Sequence, residues 1–202
     1  MILKSRVFLV DDQESILKAL SRLIVSMGFE VETYNSAQDF LESGNATTPG
    51  CLVLDLSMPR MGGMMLQERL GGMASDMPII FLTGNGSIDS SVQAMKKGAH
   101  DFLTKPVDAE KLLAAIQSAL ARNQTARQIR AERDKITAHL AELTPREHEV
   151  LLHITDGKLN KQIADNMGIA EKTIKIHRAR VMSKMEAKSV ASLVHQLEKL
   201  KN

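Results

Sequence analysis

Four short apolar runs punctuate the first half of the chain: Val7-Phe8-Leu9-Val10, Cys51-Leu52-Val53-Leu54, Ile79-Ile80-Phe81-Leu82 and the shorter Phe102-Leu103. Each is too short for a helix and apolar at consecutive positions, the pattern of a strand buried on both faces. A weaker, alternating strand is expected over Phe29 to Thr33. Between the strands, apolar residues recur at helical spacing: Ile16, Leu20, Leu23, Ile24 and Met27; Phe40-Leu41; Met65-Leu66; Val92 and Met95; then Leu112-Leu113, Ile116 and Leu120. Alternating strand and helix predicts an α/β unit with a parallel sheet covered on both faces. Ser36, with Asp39 three residues on, and Asp108 are the expected N-caps, while Gly28, Gly44 and Gly98 sit where helices should stop.

The pattern then changes. From Ala109 to about Leu143 there is neither Gly nor Pro, so the last helix of the first module is expected to run on as a charged linker. Ile129, Ile136, Leu140 and Leu143 place a possible seam along it, short for a coiled coil. Thr144-Pro145-Arg146-Glu147 reads as a capping box with Pro at the first helical position. Helices are expected from there to Gly157, from Asn160 as cap to Met167, from Glu171 to Met185 and from Ser189 to Leu200, an all-helical domain with a helix-turn-helix at its centre. The expected organisation is therefore 1–122, a linker over 123–142, and 143–202.

Composition limits the function classes. With 44% hydrophobic and 25% charged residues in 202, the chain is neither fibrous nor disordered. No apolar run approaches a membrane span, so a cytoplasmic protein is expected. A lone Cys51 and ungrouped histidines (His100, His139, His148, His153, His195) offer no disulfide or zinc framework. The overall charge of +2 conceals an asymmetry: residues 1–123 carry 11 Lys plus Arg against 14 Asp plus Glu, the remainder 15 against 10. The basic second part suits a polyanion.

The chemistry lies where the apolar runs end, at Asp11-Asp12, Asp55, Thr83 and Lys105-Pro106. In an open parallel sheet the carboxyl ends of the strands line one crevice, so these residues converge. Clustered carboxylates repel unless a cation neutralises them, and oxygen-only donors favour Mg²⁺. One carboxylate could then attack phosphorus and hold the phosphoryl group as an acyl phosphate. Lys105 and the Thr83 hydroxyl could contact its oxygens.

Phe8-Leu9-Val10-Asp11-Asp12, Leu54-Asp55-Leu56-Ser57-Met58-Pro59, Leu82-Thr83-Gly84 and Phe102-Leu103-Thr104-Lys105-Pro106 resemble the receiver domain of bacterial two-component response regulators. The resemblance implies a flavodoxin-like, doubly wound five-stranded sheet of order 2-1-3-4-5. It also implies that Asp55 is the phosphoacceptor, that Asp12, Asp55 and the Ser57 carbonyl bind Mg²⁺ with Asp11 helping through water, and that Lys105 meets the phosphoryl group. Thr83 and Phe102 would form the switch pair, and the Lys105-Pro106 bond would be cis. Ser57 and Asn85 occupy the two positions that tune acyl phosphate hydrolysis in that family; neither is acidic or basic.

In the second module, helical spacing puts Ile174, Val181 and Met185 on one stripe and Lys172, Lys175, Ile176, Ala179 and Arg180 opposite it. Long cations around a small apolar centre suit the major groove of DNA. Leu143 to Glu147, Val150-Leu151, Gly157, Asn160 to Ala164, Thr173-Ile174-Lys175 with His177, and Lys184-Met185 resemble the LuxR-type helix-turn-helix domain, a small four-helix fold. The resemblance implies that Lys175 and Ile176 approach bases, with Lys161, Lys172, Thr173, His177 and Arg180 nearer phosphates. Ala170 departs from the pattern, because the family usually caps this helix with Ser.

Together the modules resemble the FixJ-like (NarL/FixJ) group. That implies a histidine kinase as phosphodonor, a homodimer on phosphorylation, promoter double-stranded DNA and RNA polymerase as further partners, no membrane, and activation of transcription. Two alternatives stand beside it: a DNA-binding regulator that works unphosphorylated, and a Mg²⁺-dependent phosphatase or phosphotransferase using Asp55 as nucleophile.

Overall fold

The computed structural model describes residues 6–73, 75–84 and 88–201. The chain divides into two compact units, Met1–Arg127 and Gln128–Asn202. The first contains β1 (Arg6–Val10), α1 (Glu14–Ser26), β2 (Glu30–Tyr34), α2 (Ala37–Glu42), a 3-10 turn at Asn45–Thr47, β3 (Gly50–Asp55), α3 (Gly63–Gly72), β4 (Ile79–Thr83), α4 (Ile88–Lys96), β5 (Asp101–Thr104) and the start of α5 (Ala109–Ala141). The strands form one parallel sheet in the order β2-β1-β3-β4-β5, the flavodoxin-like arrangement.

The uninterrupted apolar runs make the centre of that sheet, because alternate residues point to opposite faces and both faces are covered. Phe8, Val10, Leu52, Leu54 and Phe81 pack on one side with Phe40 of α2 and Leu66 and Leu70 of α3. Val7, Leu9, Cys51, Val53, Ile80 and Leu82 pack on the other with Leu17, Leu20 and Ile24 of α1 and Leu112 and Ile116 of α5. The expected caps form: the Ser36 hydroxyl accepts from the Asp39 amide, and Asp108 Oδ1 accepts from the Glu110 and Lys111 amides. Gly28, Gly44 and Gly98 all take positive φ.

Gly63, the first residue of α3, is a close-approach glycine. Its N–H donates to the Leu56 carbonyl at 3.0 Å, folding the loop back onto the end of β3. A Cβ there would lie 2.6 Å from the Asp55 carbonyl oxygen and 2.9 Å from a Phe81 ring carbon.

α5 is a single helix of 33 residues. On the first unit it is pinned by Asn123, which is 4% exposed: its Oδ1 accepts from the Gly50 amide at 3.1 Å and its Nδ2 donates to the Asp76 carbonyl at 2.8 Å. The expected linker, 123–142, thus falls on both sides of the division between units. Its apolar seam is used unevenly. Ile136 is buried in the core of the second unit, Leu140 and Leu143 pack against that core, and Ile129 remains 55% exposed.

The second unit adds α6 (Pro145–Thr155), α7 (Asn160–Met167), α8 (Glu171–Lys184) and α9 (Val190–Lys201) around Val150, Ile154, Ile163, Ile174, Val181, Met185 and Leu193. Two expected limits shift. Asn160 is not the cap of α7: Leu159 holds that position, its N–H donating to Gln162 Oε1 at 2.8 Å, while the Asn160 side chain accepts from Arg178 at 3.2 Å. The turn between α8 and α9 is one residue longer at each end than expected, running over 185–189. Among the described residues no helix is long and apolar enough to cross a membrane.

Replacing Gly63 with Ala should lower stability by about 1–3 kcal/mol, the usual cost of overpacking a close contact. Urea unfolding of the full chain measures it, and an unchanged midpoint would show that the α3 start is not tightly seated.

Candidate functional site

The ends of β1, β3, β4 and β5 meet as the sequence predicts. Asp11 follows β1 and is fully buried; Asp55 ends β3 and is 4% exposed; Thr83 ends β4 and is 1% exposed. Lys105, just past β5, places Nζ 2.6 Å from Asp11 Oδ2 and 2.7 Å from Asp55 Oδ1. Its backbone N–H donates to the Thr83 carbonyl at 2.7 Å, which holds the lysine's backbone to β4. The next peptide bond, Lys105-Pro106, is cis. Each carboxylate also accepts from a backbone amide two residues on: Asp11 Oδ1 from Gln13 at 2.9 Å and Asp55 Oδ2 from Ser57 at 3.0 Å.

Burial and charge oppose each other here. Burial lifts the Asp55 carboxyl above the usual carboxylate range, and the Asp11 charge pushes the same way, against the pull of Lys105 and the Ser57 amide. Burial alone would depress Lys105, yet its hydrogen bonds to Asp11 and Asp55 outweigh it and the ammonium is raised. One ammonium faces two buried carboxylates, and Asp12, the next residue after Asp11, is exposed. A divalent cation would balance the charge left over, and the donors are all oxygen, the set that hard cations prefer. Among the described residues no three carboxylate, imidazole or thiol groups are gathered into a ready metal cage. The fit therefore rests on the charge and chemistry of the donors.

Phe102 on β5 is half-buried, its ring centroid 6.4 Å from that of Phe81. Ser57 is exposed, and Asn85 lies outside the described residues. Cys51 is enclosed in the core, where burial pushes its thiol up to about 12, so it is an inert small side chain.

In the second unit Lys161, Lys172, Lys175, Ala179 and Arg180 are exposed and Ile176 is 46% exposed, so the expected basic face of α8 is open, while Ile174, Val181 and Met185 are buried beneath it. Thr173 and His177 are half-buried, and His177 Nδ1 is enclosed without a hydrogen-bond partner. Ala170 caps α8 without a side-chain bond.

Three charged residues beyond the exposed basic face hold the second unit together. Arg178 ties α8 to α7 through Asn160. Lys184, at the end of α8, donates to Glu147 Oε2 at 2.7 Å and to the Glu142 carbonyl at 2.9 Å. Glu147 also accepts from the Thr144 amide, completing the capping box. The Lys184 ammonium, followed by the Thr144 amide, holds the buried Glu147 carboxyl down at about 2. The capping-box spacing signals Glu147, but nothing in sequence points to a lysine 37 residues away.

A parallel α/β unit with a carboxylate and lysine crevice, joined to a helix-turn-helix unit with a basic open face, defines a two-module regulator. A response regulator receiver domain model matches residues 7–117, and a model of the bacterial regulatory proteins of the luxR family matches residues 141–197. The response regulator protein TmoT of Ectopseudomonas mendocina is 40% identical over 199 residues, which cover 98% of this chain and 90% of that protein. The transcriptional regulatory protein FixJ of Bradyrhizobium diazoefficiens is 38% identical, covering 96% and 95%. Of solved structures, the response regulator StyR matches with a TM-score of 0.90 at 45% identity, covering 97% of this chain and 99% of that one. Full-length FixJ from B. japonicum matches with a TM-score of 0.60 at 36% identity, covering 98% of each. The chain belongs to the FixJ-like two-component response regulators and is a transcription regulator with a receiver and a LuxR-type DNA-binding domain.

Glu147 sets a pH dependence. Its carboxyl is lowered on folding from 4.5 to about 2, so the stabilisation it gives is fully present above about pH 4.5 and is lost as pH falls toward 2. In urea unfolding followed by helical circular dichroism across that window, the wild type should lose stability more steeply than Glu147→Gln, which is weaker at neutral pH but flatter. Parallel slopes would mean that the Lys184 pair does not govern the titration.

Proposed function

We propose that Asp55 accepts a phosphoryl group from a sensor histidine kinase and that the phosphorylated chain dimerises on promoter DNA, in the cytoplasm, to activate transcription with RNA polymerase. The observation that carries this reading is Lys105 bridging Asp11 and Asp55 at the carboxyl ends of three different strands. A lysine so placed leaves one face of the Asp55 carboxylate in the crevice and stands ready for the incoming phosphoryl oxygens.

An Asp55 carboxylate oxygen attacks phosphorus, the bond from phosphorus to the donor's imidazole nitrogen breaks, and the imidazole leaves with a proton from solvent. Asp11, Asp12, Asp55 and the Ser57 carbonyl are the oxygen donors that would hold Mg²⁺, which when bound supplies charge neutralisation at the transferring group. Lys105 then exchanges one of its carboxylate partners for a phosphoryl oxygen, and the hydroxyl of Thr83, buried at the end of β4, donates to another. Movement of Thr83 toward the new dianion draws on β4, and Phe102 on the adjoining strand answers by changing its packing on Phe81. The half-buried setting of Phe102 supports its part in the switch.

On the second unit, α8 is the recognition helix: Lys175 and Ile176 meet bases, Ala179 lets the helix sit close, and Lys161, Lys172, Thr173, His177 and Arg180 face phosphates.

Incubation with Mg²⁺ and acetyl phosphate should add one phosphoryl group by intact mass to the wild type and none to Asp55→Asn, with a shift toward dimer by gel filtration. Lys105→Ala should slow adduct formation by about tenfold or more, the scale of a lost charge contact in the transition state. An adduct on Asp55→Asn, or none on the wild type, would refute the assignment.

A further inference from the structure

α8 opens on an acidic residue. Glu171 is its first residue, and its carboxylate lies 3.1 Å from the ammonium of Lys175, one turn further along the same row. Both side chains are open to solvent, at 45% and 63%. The pair is placed at the end of the helix whose exposed face continues through Lys172, Ile176, Ala179 and Arg180.

A carboxylate at the leading end of a helix that enters a polyanion is unfavourable unless it finds a donor. The major groove offers one: the exocyclic amine of cytosine, with the O6 and N7 acceptors of the paired guanine alongside. A carboxylate and an ammonium side by side present the complementary acceptor and donor. Residues at the start of a recognition helix are those that reach base edges. Ala170, with only a methyl side chain, leaves the helix start without a side-chain cap.

We infer that the Glu171 and Lys175 pair reads one C·G base pair of the operator as a unit, with Glu171 accepting from cytosine N4 and Lys175 donating to the partner guanine. Glu171 is then a specificity residue: it selects sequence and adds little to affinity on arbitrary DNA. The inference rests on α8 being the recognition helix, and it adds an acidic reader to a surface otherwise described by its cations.

The test is selection from randomised duplex DNA by the full chain, treated with Mg²⁺ and acetyl phosphate, beside Glu171→Gln and Glu171→Ala. The wild type should enrich a half-site with an invariant C·G pair. Glu171→Gln should move that one position toward A·T, since an amide pairs with adenine N6 and N7, and Glu171→Ala should lose discrimination there by about tenfold while the other positions persist. Thermal unfolding of each variant separates this from a structural role, because a carboxylate that merely complements the helix dipole would alter stability without altering the motif. An unchanged motif in both variants, or tighter binding by the same factor on every sequence, overturns the inference. Enrichment of no sequence by the wild type refutes DNA reading by α8 itself, and the inference with it.

Discussion

Everything in the first unit converges on one ammonium held between two buried carboxylates. Lys105 sits 2.6 Å and 2.7 Å from oxygens of Asp11 and Asp55, groups separated by 94 and 50 positions in sequence from it. Such a cluster is stable only where strands fix its members, because two like charges out of water repel and one cation compensates them incompletely. The sheet provides that frame. β1, β3 and β4 are buried throughout except for Arg6, and their parallel register brings three strand ends to one line. Gly63 lets α3 start close beneath the same line. The acidic, under-compensated crevice is therefore a product of the packing, and the packing is tight at the point where chemistry is expected.

The second unit solves the complementary problem. It must expose a run of cations while keeping a helix rigid, and it does so by burying a single well-paired charge elsewhere. Glu147, 2% exposed, joins the start of α6 to the end of α8 through Lys184. Arg178 fastens the other flank of α8 to α7. The buried Glu147 is matched by Lys184, and the cations of the outer face of α8 stay exposed for a polyanion.

Much of this was legible in sequence, for physical reasons that differ by residue. A strand buried on both faces has to be apolar at consecutive positions, so the central strands declared themselves, and the carboxyl ends of parallel strands share one crevice, so the meeting of Asp11, Asp55 and Lys105 followed. Capping is local, and Ser36, Asp108 and Thr144 behaved as their types suggest. Asn160 misled because the same side chain that caps helices also serves a distant partner, here Arg178. Ile129 misled because helical spacing shows which residues share a face, and the second unit covers that face only from Ile136 onward. The pairings of Asn123 and Lys184 were invisible: their partners lie 73 and 37 residues away, and no local pattern encodes an approach that the whole fold creates.

The long helix α5 belongs to both units by its side chains: Asn123 serves the sheet, while Glu132, Lys135 and Ile136 serve the helical unit through Lys199, Glu186 and the core. A gene fusion that grafts this reader onto another sensor therefore cannot be joined at the capping box. To keep Glu132, Lys135 and Ile136 with the helical unit, the joint has to fall upstream of Glu132. The portable piece of the helical unit thus begins within α5, at the division after Arg127, and not at the capping box.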